Sequence, residues 1–177
     1  FLGAYSGNVN TTGFANTFLG NNAGRANTTT NHSTAVGTNA LNVNVAHEND
    51  AFGSYALAAN TTGTLNTAVG KTALAANTTG TRNVAVGYQA MTGNTTGGYN
   101  NAMGVYALDA NTTGVENVAM GDVALSANTT GNIVRVDSKN AINIQADVKP
   151  GVFADFKVRE IEYVLGIAEN APFIKGK

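Results

Sequence analysis

Two histidines and one Gly-Lys-Thr phrase are the residues whose types and spacing could do chemistry. His32 and His47 fall in the turns of neighbouring stretches of the chain, where two imidazoles could begin a transition-metal site. Such a site takes three or four converging ligands, and the pair supplies only a start. Gly70-Lys71-Thr72 has the form of the end of a phosphate-binding loop, but Leu65 occupies the place five residues earlier where that loop needs glycine. The absence of cysteine removes disulfides and thiolate metal sites. No Ser, His and Asp recur in a triad-like arrangement, so the expectation is no enzyme, no cofactor and no metal.

A third kind of chemistry is modification. Asn10, Asn27, Asn60, Asn77, Asn94, Asn111 and Asn128 each begin an Asn-Thr-Thr phrase, and Asn31 begins Asn-His-Ser, so all eight are N-glycosylation sequons. The simpler reading is that Asn and Thr make the turn by hydrogen bonds from side chain to backbone. Both readings hold if the Thr faces out.

The regularity of those sequons points to what positions them. A seventeen-residue unit starts at Phe1, Phe18, Ala35, Ala51, Ala68, Ala85, Ala102 and Ala119, with one spacing of sixteen between Ala35 and Ala51. A fixed short period of this kind marks a repeat architecture. Its third position is always glycine, at Gly3, Gly20, Gly37, Gly53, Gly70, Gly87, Gly104 and Gly121. That implies a corner with positive φ, or a backbone approached too closely for a Cβ. The tenth position is always asparagine, at Asn10, Asn27, Asn44, Asn60, Asn77, Asn94, Asn111 and Asn128. If each unit is one coil, these side chains stack and can hydrogen-bond along a ladder.

Runs such as Ala73-Leu74-Ala75-Ala76 favour helix by propensity, but isolated helices shorter than roughly 12–15 residues are marginal. A parallel β-solenoid is therefore expected, eight coils of about 4.8 Å rise in a rod on the order of 38 Å long. The first two positions of each unit, as in Ala68-Val69 and Ala85-Val86, are adjacent yet both apolar. Adjacent strand residues point to opposite faces, so one fills the coil and the other meets something else, a second chain. The sequence leaves open which does which. Phe1 and Phe18 stand where later units have Ala, and Gly7 and Gly24 where they have Leu or Met, so that cross-section is filled differently. The unit at Ala35 replaces Thr-Thr-Gly with Val45-Ala46-His47-Glu48, an altered corner.

The phrase Asn-x-Ala-Val-Gly, with Met for Val in the last copy, followed by Ala-Leu or Ala-Met and Asn-Thr-Thr-Gly, occurs at Asn66–Gly80, Asn83–Gly97 and Asn117–Gly131. It resembles the head repeats of trimeric autotransporter adhesins, and more closely the seventeen-residue repeats of phage tail fibres. The resemblance covers about three quarters of the chain and implies three parallel chains, each a left-handed β-roll, fused along their strands into a fibre. It implies an extracellular, cell-surface or virion location, and a glycan or protein receptor reached through other parts of the fibre. A net charge of −1 without a basic cluster gives no footprint of nucleic-acid binding or of a peripheral membrane protein, and no apolar run approaches a membrane span. The chain opens at Phe1 inside the repeat, which is the expectation for a fragment of something longer.

Residues 1–131 are thus expected to form a shaft and residues 132–177 a second module. Thirteen of the last 46 residues are charged, against eight of the first 131. Ile133-Val134-Arg135-Val136 and Ala141-Ile142-Asn143-Ile144 read as a hairpin or two last coils; Val152 to Ala168 alternates in part, which favours strand, while Phe153, Phe156, Ile161, Val164, Leu165 and Ala168 also fit a helical face, and the whole is a β-rich cap, a trimerisation element or a connecting module. The functional expectation is a structural fibre or adhesin segment that supports attachment. The alternative is a ligand-binding solenoid whose Thr12, Thr29, Thr62, Thr79, Thr96, Thr113 and Thr130 form an array for ice or a crystalline glycan.

Overall fold

The computed structural model describes residues 2–132 and the short strand Arg135–Val136. The reading of residues 132–177 as a hairpin, coils or cap lies outside the described residues, apart from Asn132 and Arg135–Val136. The fold is an all-β parallel solenoid. Eight short strands, β1 (Thr17–Leu19), β2 (Thr34–Val36), β3 (Asp50–Phe52), β4 (Thr67–Val69), β5 (Val84–Val86), β6 (Asn101–Met103), β7 (Val118–Met120) and β8 (Arg135–Val136), lie in chain order in one parallel sheet. There is no helix among the described residues. Registers confirm the period: Thr67 pairs with Val84 and Val84 with Asn101, whereas Thr34 pairs with Asp50, one residue short.

Coils are numbered here from the starts given above. The missing residue of coil three lies between Asn44 and Asn49. These two are bonded side chain to side chain, Asn49 Nδ2 to Asn44 Oδ1 at 3.3 Å, and Ala46 takes the glycine's place by accepting from Asn44 Nδ2 at 2.7 Å. Strands and the rest of the coil keep their register because the shortening falls wholly within this turn.

The core is built from three columns. The middle residue of each strand (Phe18, Ala35, Ala51, Ala68, Ala85, Ala102 and Ala119) is buried, as are the paired columns Ala40-Leu41 through Ala124-Leu125. The first position of each repeat unit therefore fills the coil, and the second faces out. Leu41, Leu57, Leu74, Met91, Leu108 and Leu125 all hold left-handed backbone, φ 49–55°. That conformation costs an L-residue roughly 1–2 kcal/mol, while burying a Leu side chain returns roughly 1.5–3 kcal/mol. Burial offsets the strain, and glycine takes the same place only in coils one and two, as Gly7 and Gly24.

Coil two explains that exception. A Cβ at Gly24 would lie 2.7 Å from the Phe18 ring, so the ring occupies the space that a Leu fills in later coils. Phe plus Gly replaces Ala plus Leu at similar volume, the kind of exchange a packed interior tolerates best.

Candidate functional site

The most distinctive chemistry of the described residues is a pair of buried amide columns running along the rod. In the tenth-position column, Asn60 Nδ2 donates to Asn44 Oδ1 at 2.7 Å, Asn77 to Asn60 at 2.7 Å, Asn94 to Asn77 at 2.8 Å, Asn111 to Asn94 at 2.7 Å and Asn128 to Asn111 at 3.2 Å. Each of Asn60, Asn77, Asn94 and Asn111 also donates to the glycine carbonyl three residues on, as Asn77 does to Gly80 at 3.0 Å. Asn27 and Asn10 stand in the same column without joining it. Asn27 Oδ1 accepts from the Thr30 N–H at 3.1 Å, and the Nδ2 atoms of Asn10 and Asn27 have no partner.

A second column was not recognised from the sequence. Asn49, Asn66, Asn83, Asn100 and Asn117 precede the strands, and in each successive pair the later Nδ2 and backbone N–H both donate to the earlier Oδ1, as Asn83 does to Asn66 at 3.2 and 3.0 Å. Each also reaches into the next coil to the same glycine carbonyl that the first column bonds: Asn66 Nδ2 to Gly80 O at 2.9 Å, Asn83 to Gly97 O at 2.8 Å. The two columns thus clasp one row of carbonyls from both sides, in a buried setting where an unpaired amide would be costly. The sequence signal was the Asn of the Asn-x-Ala-Val-Gly phrase, with Ser33 in coil two.

The third-position glycines answer to both of the expected reasons at once. Their φ runs from 121° to 141°, and a Cβ at Gly70 or Gly104 would lie 2.3 or 2.2 Å from the carbonyl oxygen of the next coil's glycine. Thr hydroxyls add a further file of bonds: Thr61, Thr78, Thr95 and Thr112 Oγ1 donate to the carbonyl seventeen residues on at 3.0–3.1 Å. The neighbouring Thr62, Thr79, Thr96 and Thr113 are exposed, and buried Ala46 interrupts their file in coil three.

These positions bear on modification. N-glycosylation takes place at Nδ2, and in Asn60, Asn77, Asn94, Asn111 and Asn128 that atom is spent in the ladder inside a buried residue. Asn27 is likewise buried. Asn31 is the sequon asparagine that is partly exposed and outside both columns; its Oδ1 accepts from the Phe14 N–H at 3.0 Å.

The remaining candidates have structural occupations. His47 Nδ1 accepts from the Asn31 N–H at 3.0 Å, and the His32 ring meets Phe14 edge-on at 5.3 Å between centroids. Among the described residues no three His, Cys, Asp or Glu side chains are grouped as metal ligands. Lys71 is exposed beside Gly70, and Thr72 Oγ1 donates to the Lys71 carbonyl at 2.7 Å. At Asp109 burial pushes the carboxyl pKa up against backbone hydrogen bonds that lower it, and its Oδ1 has no partner.

On the outer face, the last residue of each of the strands β1 to β7 forms a column of large apolar side chains in register: Leu19, Val36, Phe52, Val69, Val86, Met103 and Met120. Five of them, Leu19, Phe52, Val69, Met103 and Met120, are exposed, Met103 by 51%. Against known proteins, the chain matches no family model, no curated protein and no solved structure.

Proposed function

We propose that this chain is a length of structural fibre: a rigid shaft, assembled from three copies in parallel, that holds an attachment tip away from a cell or virion. The observation that carries this reading is the continuous outward file from Leu19 to Met120, five of its seven side chains exposed, on a coil whose interior is already full. A contiguous apolar stripe of this length is an association surface, and a stripe that runs coil after coil along the stack suits copies of the same solenoid side by side. Stiffness comes from the amide columns and backbone ladders, which bond every coil to the next. The proposed location is outside the cell or on a virion, with receptor contacts made by other parts of the fibre.

Mass photometry or light scattering of the whole chain tests the assembly. The wild type is expected at three times its 18.1 kDa monomer mass. Val86→Asp, which places one charge per chain at the outer file, is expected to yield folded monomer, because three like charges would be buried together. Ala85→Asp is expected to unfold the coil instead, since Ala85 is buried within it. Arg82→Ser, at an exposed turn, should remain assembled. A monodisperse wild-type monomer overturns the trimer.

A second reading is favoured by the exposed file Thr62, Thr79, Thr96 and Thr113: an array that binds ice or a crystalline glycan. Thermal hysteresis in a dilute solution of the chain separates it from a shaft, which has none.

A further inference from the structure

The turns that carry the first amide column also grip an oxygen in coil after coil. In coil four the N–H groups of Thr61, Thr62 and Gly63 all donate to one carbonyl of the next coil, Thr78 O, at 2.9, 3.1 and 3.3 Å, and the Thr61 hydroxyl reaches the same oxygen at 3.0 Å. Coils five and six repeat the grip on Thr95 O and Thr112 O. In coils one and seven two N–H groups and the hydroxyl do the same, on Thr28 O and Thr129 O. Successive N–H groups aimed at one point form the kind of concavity that holds anions. In these coils the stack itself supplies the oxygen.

Coil two has the same residue types at Thr28 and Thr29 and no such oxygen. Their N–H groups and the Thr28 hydroxyl have no partner among the described residues, and Val45 O, which stands in the column of Thr78 O, accepts from none of them. The residue missing from coil three accounts for this. The shortened turn folds back on Asn44, whose Nδ2 takes Ala46 O at 2.7 Å, and the Val45 carbonyl is not delivered to coil two. The third donor of the grip is diverted as well, since the Thr30 N–H bonds Asn27 Oδ1 at 3.1 Å. Within the same turn Asn27 and Thr30 are both 0% exposed, and neither Asn27 Nδ2 nor Thr30 Oγ1 has a partner. Thr28 and Thr29 are exposed, so the turn is reached from solvent on its outer side.

We propose that the Thr28–Thr29 turn of coil two binds a small oxyanion, a carboxylate or sulfate group, one oxygen of which takes the place that Thr78 O holds against coil four. The other turns grip a neutral carbonyl, but this one gathers five unpaired donors within residues 27–30. Hydrogen bonds to an ionised acceptor are roughly twice as strong as those to a neutral one. Neither coil one nor coil two contains an acidic residue, coil two carries Arg25, and the first acid of coil three is Glu48, past the turn. The site does not depend on the fibre reading.

The backbone amides of Thr28 and Thr29 report binding directly in the full chain labelled with 15N. Titration with sodium sulfate or sodium acetate is expected to shift both resonances along a saturable curve, while those of Thr78 and Thr79, already bonded to Thr95 O, stay in place. Sulfate reads a free inorganic anion and acetate the carboxylate of a larger acidic molecule; saturation by either supports the site. Acetamide, a neutral carbonyl of the same size as acetate, is expected to leave both resonances unmoved. Thr28→Val keeps the branched shape and removes the hydroxyl, and is expected to weaken binding roughly tenfold, the worth of one hydrogen bond to a charged group. A threonine inserted between Val45 and Ala46 restores the seventeen-residue spacing and is expected to abolish binding. No response of Thr28 and Thr29 to either anion overturns the proposal. So does an equal response at Thr78 and Thr79, or to acetamide, and both comparisons are made on the unsubstituted chain, whatever the folding of the variants.

Discussion

Asn94 sits in the middle of the first amide column, and replacing it measures what the column contributes. Its Nδ2 donates to Asn77 Oδ1 at 2.8 Å and to Gly97 O at 3.0 Å, while its Oδ1 accepts from Asn111 Nδ2 at 2.7 Å. Asn94→Ala removes all three. Gly97 O keeps its bond from Asn83, and Asn111 keeps its bond to Gly114, so Asn77 Oδ1 is the atom left wholly unpaired. At a net value of about 1 kcal/mol for each bond, with a further roughly 1 kcal/mol for the stranded oxygen, the expected loss is about 4 kcal/mol. Asn94→Asp keeps the shape but sets oxygen against oxygen at a fully buried position. Burial raises the pKa of that carboxyl, so the folded state holds its proton to higher pH than the unfolded chain does. The Asp variant is expected to be least impaired at low pH and to lose stability as pH rises past the free-aspartate range near about 3.9. Urea unfolding followed by circular dichroism, at one fixed protein concentration, reads both effects. If Asn94→Ala lies within about 1 kcal/mol of wild type, the ladder is an ornament of the fold and not a support.

Gly87→Ala should abolish folding or nearly so, since its Cβ would lie 2.3 Å from the Gly104 carbonyl at a φ of 139°; Gly98→Ala, with its nearest contact at 3.0 Å, should be mild, and thermal melts rank the two. Gly24→Leu alone should be strongly destabilising because of the Phe18 ring, whereas Gly24→Leu with Phe18→Ala restores the pairing of later coils and should recover most of the loss. The double-mutant cycle for that pair is expected to show large coupling. Asp109, with its pKa raised by burial, is accommodated best when protonated; its contribution is lost as pH rises from the free-aspartate range through the raised folded value. Asp109→Asn should therefore stabilise the chain at neutral pH and make no difference in acid, as melts across a pH series will read.

Much of this was legible because stacking forces each column to obey one rule. Gly70 and Gly87 each meet the glycine carbonyl of the next coil in the same way, so their invariance pointed to its cause. The side on which Ala85 and Val86 lie was not legible. Both are apolar, and a two-residue alternation has no preferred origin until the backbone fixes which faces in. The second amide column was present in the letters Asn66, Asn83 and Asn100, but beside a strand it read as part of a phrase and not as a rung. Left-handed Leu74 and Leu108 were the hardest to foresee, since local preference argues against that backbone and only the filled interior argues for it. The sequons posed the opposite problem: Asn77-Thr78-Thr79 matches an acceptor motif, yet the motif does not record that the amide is already engaged.

The clasped carbonyl row has a further consequence, for heredity and not for packing. From coil four to coil seven the upper and lower faces of a coil offer the same partners, so a coil duplicated or deleted in the gene meets neighbours it already fits. Length can then change in whole steps of about 4.8 Å without any new contact having to evolve. A single-residue slip enjoys no such freedom, and the one that has been kept, in coil three, falls in the short turn between the two amide files, where Ala46 could take over the lost glycine's hydrogen bond.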